Sequence, residues 1–257
     1  MENASGSVIG ILGAGHLGGA ILSGLRAGGK ISPDKLLVYD PAKPSDTADE
    51  QELIKASDYI FLCLRPDAAR ELLAGLEAHG KVILSAVAGL SAQEIEKTTS
   101  AHVLRIMPNL PVEVCLGAVA YADPNHLTEA EMTGALALLE DLGTAVPVPE
   151  TLFAAVTGLS GSGPAYVYMF LKALIDAGCA LGLTKTQAEN LAIPTLIGAA
   201  TLAEKMPKMD LGKMIESVAT PSGTTEAGVK VLRAGGFEKT VMEAVKSAAA
   251  RADELLK

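Results

Sequence analysis

Residues 13–18 read Gly-Ala-Gly-His-Leu-Gly, the pattern G-x-G-x-x-G, and no other stretch narrows the possible folds as far. Its setting supplies the constraint. The short apolar run Val8–Leu12 precedes it and suits a strand buried on both faces. Leu17, Ile21, Leu22 and Leu25 follow at helical spacing, and Gly28-Gly29 closes the run. A strand that turns through three glycines into a helix is built for a dinucleotide. Gly13 permits the tight turn, Gly15 lets the backbone approach a pyrophosphate, and Gly18 lets helix and strand pack closely. Ala14, His16 and Leu17 fill the turn and open the helix, whose N-terminus offers free N–H donors and partial positive charge. The alternative is a glycine-rich turn with no ligand.

Further strands are expected at 35–40, 58–64, 81–87 and 102–107, with helices over 66–80 and 91–100 between the later ones. Ser91 followed by Glu94 makes a capping box for the second helix. Two more strands, within 116–123 and 143–148, flank a helix at 128–141. Such alternation means an α/β domain of Rossmann type with a mostly parallel sheet. After Pro149 the texture changes to Ala/Leu-rich helical sequence, with breaks expected at 158–163, Gly182, Met206-Pro207, 220–225 and Gly235-Gly236. The expected organisation is therefore a dinucleotide-binding domain over 1–150 and an all-helical domain over 151–257.

Asp40 ends the second strand, 22 residues beyond Gly18. A carboxylate there accepts hydrogen bonds from the adenosine ribose and repels a 2′-phosphate, which leans towards NADH over NADPH. Lys43 lies close enough in sequence to rescue a phosphate, and Asp40 also reads as a plain turn residue before Pro41.

Charge and composition exclude several classes. A formal net charge of −9 over 257 residues argues against a general nucleic-acid binder. No apolar stretch approaches the ~18 residues of a membrane span, and no secretory leader is evident. Cys63, Cys115 and Cys179 form no CxxC and read as free thiols of a cytoplasmic protein. The four histidines form no ligand pair, so no metal is expected.

Two glycine-rich stretches remain. Residues 158–166, GLSGSGPAY, read either as a linker or as a place where backbone meets a bound molecule. Residues 220–228, TPSGTTEAG, feed Thr224 and Thr225 into a helix start, which suits a carboxylate but equally suits a capped turn with no ligand.

These stretches, with RIMPNLP (105–111), GLTKTQAENLA (182–192) and the N-terminal GAGHLGGAILSGL, resemble the pyrroline-5-carboxylate reductase family in the right order over nearly the whole chain. The resemblance implies reduction of Δ1-pyrroline-5-carboxylate to L-proline with NAD(P)H. It implies a Rossmann domain followed by a helical dimerisation domain, and a homodimer that in the family often assembles into decamers. On this resemblance GLSGSGPAY is no linker but lies near the interdomain cleft, and Pro164 shapes the first turn of a long helix. Gly13 to Gly18 would hold the pyrophosphate, and Arg65-Pro66 would flank the cofactor. Ala88 and Asn109 would lie near the nicotinamide and ribose. Thr225 would act against the substrate ring nitrogen, Gly223 and Thr224 would supply backbone N–H groups to the substrate carboxylate, and Val218, Thr220 and Ser222 would belong to the same substrate site. A reductase of another cyclic imine acid and a non-catalytic paralogue remain the alternatives.

Three departures from the family pattern stand out. Ser222 replaces the first glycine of Pro-Gly-Gly, which implies strain if φ is positive there. Leu110 follows Asn109 where the family has Thr. Only residues 41–57 separate the second and third strands, so a peripheral strand is expected to be missing and the adenosine side trimmed.

Overall fold

The fold is taken from a computed structural model, which describes residues 6–255. The extremities of the two expected domains, residues 1–5 and 256–257, lie outside it, as does the start of the segment read for a leader. The chain packs as two units. One runs up to Pro164 and takes in the chain again from Val245, and the other is Ala165–Ala244.

In the first unit β1 (Ile9–Leu12), β2 (Leu36–Tyr39), β3 (Tyr59–Leu62), β4 (Val82–Ser85), β5 (His102–Pro108), β6 (Gly117–Ala122) and β7 (Gly143–Val148) form one sheet. Its order is β2-β1-β3-β4-β5-β6-β7. β1 to β5 are parallel, β6 runs antiparallel to β5, and β7 is parallel to β6. The expected Rossmann-type, mostly parallel sheet is thus present.

Alternation along the strands sends residues to opposite faces. Ile9 and Ile11 of β1 join Ile21 and Leu25 of α1 (His16–Gly28) and Leu138 and Leu139 of α5 (Glu129–Asp141) on one side. Leu12, Ile60, Leu62 and Ile83 join α2 (Glu50–Ala56), α3 (Pro66–Leu73) and α4 (Ala92–Thr99) on the other. β1, β3 and β4 are buried along their whole length, which is why their sequences are apolar without alternation.

α2 alone fills the passage between β2 and β3, and β2 is the sheet edge. The peripheral strand is missing, as the short 41–57 segment implied. The expected helix over 66–80 is shorter, ending at Leu73, and a turn carries the chain to β4.

After β7 the described elements are helical. The expected break at 158–163 is corrected. α6 (Phe153–Val156) continues into a π-helical turn over Thr157–Gly161 and on to α7 (Gly163–Ala180). The Ser162 N–H donates to the Thr157 carbonyl at 2.8 Å, the wide i to i+5 bond. Packing explains one glycine. A Cβ on Gly158 would stand 2.5 Å from the Val245 carbonyl of α11 (Phe237–Leu255), so the two helices can touch there only without a side chain.

The second unit holds most of α7, α8 (Lys185–Lys205), α9 (Leu211–Val218), α10 (Thr224–Ala234) and the start of α11. Thr184 and Gln187 form a capping box that starts α8. Few of its side chains are buried, Ala188 and Ala192 among them, whereas Leu191, Ile197, Val231 and Met242 are all exposed. Among the described residues no helix is long and apolar enough to cross a membrane.

Candidate functional site

The carboxyl ends of the parallel strands bring together most of the residues singled out in the first half of the sequence. Gly13 follows β1, Asp40 follows β2, Arg65 lies just beyond β3, Ala88 beyond β4, and Asn109 directly after β5. β1 pairs with β2 on one side and β3 on the other. That reversal of winding opens a crevice, the usual ligand position in such sheets.

Each fingerprint glycine has its own physical reason. Gly13 has φ +92°, and a Cβ there would meet the Cys63 carbonyl at 2.7 Å. A Cβ on Gly18 would come within 1.9 Å of the Gly13 carbonyl, so the helix can begin this close to the strand only with glycine. Gly15 has open space beside it and starts α1 with no side-chain cap. The first N–H groups of α1 therefore keep their capacity for an anion, and a pyrophosphate fits them. His16 and Leu17 occupy the first turn. Burial pushes the thiol of Cys63, beneath this turn, up to about 12, which makes it a packing residue.

Asp40 holds the fingerprint from the side. One carboxylate oxygen accepts the Ala14 N–H at 2.7 Å, and the other accepts the Ala42 N–H at 2.9 Å. Lys43 Nζ donates to the Ala14 carbonyl, so both sides of one residue of the turn are tied to the 40–46 loop. Ser45 Oγ accepts the Asp40 N–H at 2.9 Å. Asp40 is thus a turn builder, and each of its oxygens keeps a second lone pair for another donor. Beside it a hollow of about 430 Å³ is bounded by Tyr39, Pro41, Gln51, Leu64, Ala68 and Leu72.

Arg65 is the N-cap of α3, and Pro66 stands at its first position, where a missing N–H is harmless. Ala88 sits in the 86–91 connection. The carbonyls on either side of it, Val87 and Gly89, accept from Arg105 Nη2 at 3.3 Å and Arg70 Nη2 at 2.9 Å. Asn109 is fixed at both ends of its amide: Oδ1 accepts the Ala118 N–H at 2.9 Å, and Nδ2 donates to Ser160 Oγ at 3.3 Å. Arg70, Arg105 and Ser160 were not singled out from the sequence. An arginine inside the apolar run HVLRIM was the available signal for Arg105.

The second cluster belongs to the α9–α10 corner. Val218 ends α9, Thr220 and Ser222 form the turn, Gly223 is the N-cap of α10, and Thr224 and Thr225 are its first residues. Ser222 has φ +61°, the left-handed conformation that its glycine-free position made costly. The Gly223 N–H closes the turn on the Thr220 carbonyl at 2.9 Å, which corrects the expectation that it serves a carboxylate: the turn itself uses that donor. No side chain caps α10, so the N–H groups of Thr224 and Thr225 stay available beside their hydroxyls. Glu226 folds back to accept the Ser222 N–H at 2.9 Å and pairs with Lys230 at 3.1 Å.

The chain is similar to known proteins over nearly its whole length. A family model described as pyrroline-5-carboxylate reductase dimerisation matches residues 150–255, and one described as NADP oxidoreductase, coenzyme F420-dependent, matches residues 8–89. A pyrroline-5-carboxylate reductase from Synechocystis is 35% identical, covering 96% of this chain and 97% of the relative. One from Arabidopsis thaliana is 32% identical, covering 96% and 95%. The crystal structure of a Plasmodium falciparum pyrroline carboxylate reductase with NADP bound superposes with a TM-score of 0.90 at 25% identity, covering 98% of this chain and 99% of that one. A pyrroline-5-carboxylate reductase from Coxiella burnetii gives 0.84 at 29% identity, covering 98% and 99%.

Proposed function

The chain belongs to the pyrroline-5-carboxylate reductase family, and we propose that its two residue clusters divide the work of reducing Δ1-pyrroline-5-carboxylate to L-proline. The enzyme is an NAD(P)-dependent reductase of a C=N bond. The observation that carries the division is the pair of uncapped helix starts, at Gly15 and at Gly223, in a chain without a His/Asp/Glu catalytic constellation in its sequence.

The first cluster is the cofactor site. The α1 N-terminus takes the pyrophosphate, with Gly13, Ala14, Gly15, His16, Leu17 and Gly18 shaping the approach. Asp40 accepts from the adenosine ribose, and the hollow beside Tyr39 and Leu64 takes the adenine. Arg65 and Pro66 flank the cofactor, while Ala88 and Asn109 border the nicotinamide side. The free carboxylate lone pairs of Asp40 support NADH as the preferred form. When bound, the reduced nicotinamide supplies the hydride.

The second cluster is the substrate site. The N–H groups of Thr224 and Thr225 hold the substrate carboxylate, with Val218, Thr220, Ser222 and Gly223 completing the turn around it. Thr225 sets its hydroxyl against the ring nitrogen. A protonated cyclic imine is already electrophilic. Hydride would add to the imine carbon, C2 of the pyrroline and C5 of the proline product, the C=N π pair would pass to nitrogen as a lone pair, and the N–H proton would stay there, so the residues need only orient the ring and exclude water. The family match to a dimerisation domain makes the enzyme an oligomer. We place it as a homodimer through the C-terminal helices, with a pentamer of dimers as the larger assembly, and in the cytoplasm, consistent with three free thiols.

The substrate assignment is tested by comparing turnover on pyrroline-5-carboxylate and its six-membered analogue. A kcat/KM favouring the five-membered ring supports it. Preference for the six-membered ring would reassign the enzyme to another cyclic imine acid, a change for which Ser222 and Leu110 would be the first residues to inspect.

A further inference from the structure

Arg105 is a charged side chain inside the first unit, only 3% exposed, and the chemistry above leaves it without a task. Burying a guanidinium is expensive unless its hydrogen bonds and counter-charge are arranged around it. Here they are arranged with a pattern. Nη2 donates to the Val87 carbonyl at 3.3 Å, and Nη1 meets Glu150 Oε1 at 3.2 Å. The same Glu150 oxygen accepts the Ala92 N–H at the start of α4, at 3.4 Å. The guanidinium lies 5.0 Å from the centroid of the Phe153 ring, at the start of α6. Its Nε is buried with no hydrogen-bond partner, so the group is not there simply because every polar atom is satisfied.

Three pieces of chain converge on this one group. They are the 86–91 connection that carries Ala88, the first turn of α4 through Glu150, and the entry to α6. Arg70 reinforces the first from another direction through the Gly89 carbonyl at 2.9 Å. We infer that Arg105, held by Glu150, is a positioning residue for hydride transfer: it fixes the backbone just before Ala88, as Arg70 does just after it, and so sets where the nicotinamide face of the cofactor site stands. The inference rests on the proposed reading of Ala88 as part of that site. A planar fork can grip Val87 and Glu150 at once and stack on Phe153, whereas a lysine ammonium, a point donor on a flexible stem, cannot do all three. Small displacements at a reacting centre are costly even when binding survives.

The test is single-turnover hydride transfer with the full-length enzyme at saturating NADH and pyrroline-5-carboxylate, for wild type, Arg105→Lys and Glu150→Gln. NADH affinity, thermal midpoint and steady-state kcat are measured beside it, and each kcat is repeated with NADH deuterated at the transferred position. Arg105→Lys should slow hydride transfer by roughly ten- to a hundredfold, with NADH affinity nearly unchanged. The deuterium effect on kcat should rise as transfer becomes rate-limiting, which loss of folded protein alone would not cause. Glu150 is partly exposed, so Glu150→Gln tests the same coupling if Arg105→Lys does not fold, with a smaller slowing and the same rise in isotope effect. Hydride transfer in a folded variant within about twofold of wild type, or lost only in proportion to folded protein with no change in isotope effect, overturns the inference. A wild-type enzyme that binds NADH but reduces no cyclic imine overturns the proposed function itself, a separate outcome.

Discussion

Asp40 does two jobs with one carboxylate. It anchors the fingerprint through the Ala14 N–H and the adjoining turn through the Ala42 N–H, and its remaining lone pairs face the ribose in the proposed cofactor site. Asp40→Ser should therefore move the kcat/KM ratio towards NADPH by roughly tenfold, the scale of removing one charge repulsion near a protein surface. Affinity for both cofactors should fall because Ala14 loses its tether. A ratio that does not move would leave Asp40 a turn residue alone. Thr225→Ala should lower turnover by roughly ten- to a hundredfold with NADH binding near normal, and unchanged turnover would remove Thr225 from the mechanism. Ser222, at φ +61°, carries left-handed strain, so Ser222→Gly should raise stability by up to about 1 kcal/mol, reduced by glycine's greater freedom in the unfolded chain. An unchanged urea midpoint would contradict that. How far these residues were legible from sequence follows the length of their contacts. The fingerprint is local and could be read outright, whereas the cost at Ser222 was expected only on the resemblance and only if φ was positive, which the turn makes it. The tie from Asp40 to Ala14 spans 26 residues, and the grip of Arg105 on Val87 spans 18. Only the fold brings such pairs together.

At the scale of elements, α4 shows what a written-out start signal contributes. Ser91 accepts the Glu94 N–H while Glu94 reaches back to the Ser91 N–H and hydroxyl. The Ser91 hydroxyl, and then its N–H, hold the Glu94 carboxyl below its ordinary value. A depressed folded value means stabilisation complete at neutral pH and lost as pH falls through that value. Ser91→Ala should cost about 1 kcal/mol at pH 7, and the gap between the two urea midpoints should narrow as pH drops through the glutamate range. A gap constant with pH would mean Glu94 contributes nothing through this box. The boxes at Thr128 and Thr184 are of the same kind. The π turn over Thr157–Gly161 was not legible, because glycine, serine and proline in succession read as a breaker. The reason for Gly158 lies in α11, which packs against it from the far end of the chain. The missing peripheral strand was legible, because 41–57 is simply too short to hold a helix, a strand and a second helix.

At the scale of the whole molecule, the helices between Ala165 and Ala244 leave large apolar side chains uncovered, Leu191, Ile197 and Val231 among them. A surface of that kind is satisfied by a second copy. Sedimentation should find no folded monomer at working concentration, and Ile197→Asp should give dissociated or aggregated protein with less helix. A stable, fully helical monomer would contradict the dimer. The reaction itself is read from loss of nicotinamide absorbance when the purified enzyme receives pyrroline-5-carboxylate with NADH or with NADPH. Turnover should need the imine, yield proline, and be faster with NADH. Cofactor binding with no oxidation on adding pyrroline-5-carboxylate would contradict the proposed reaction.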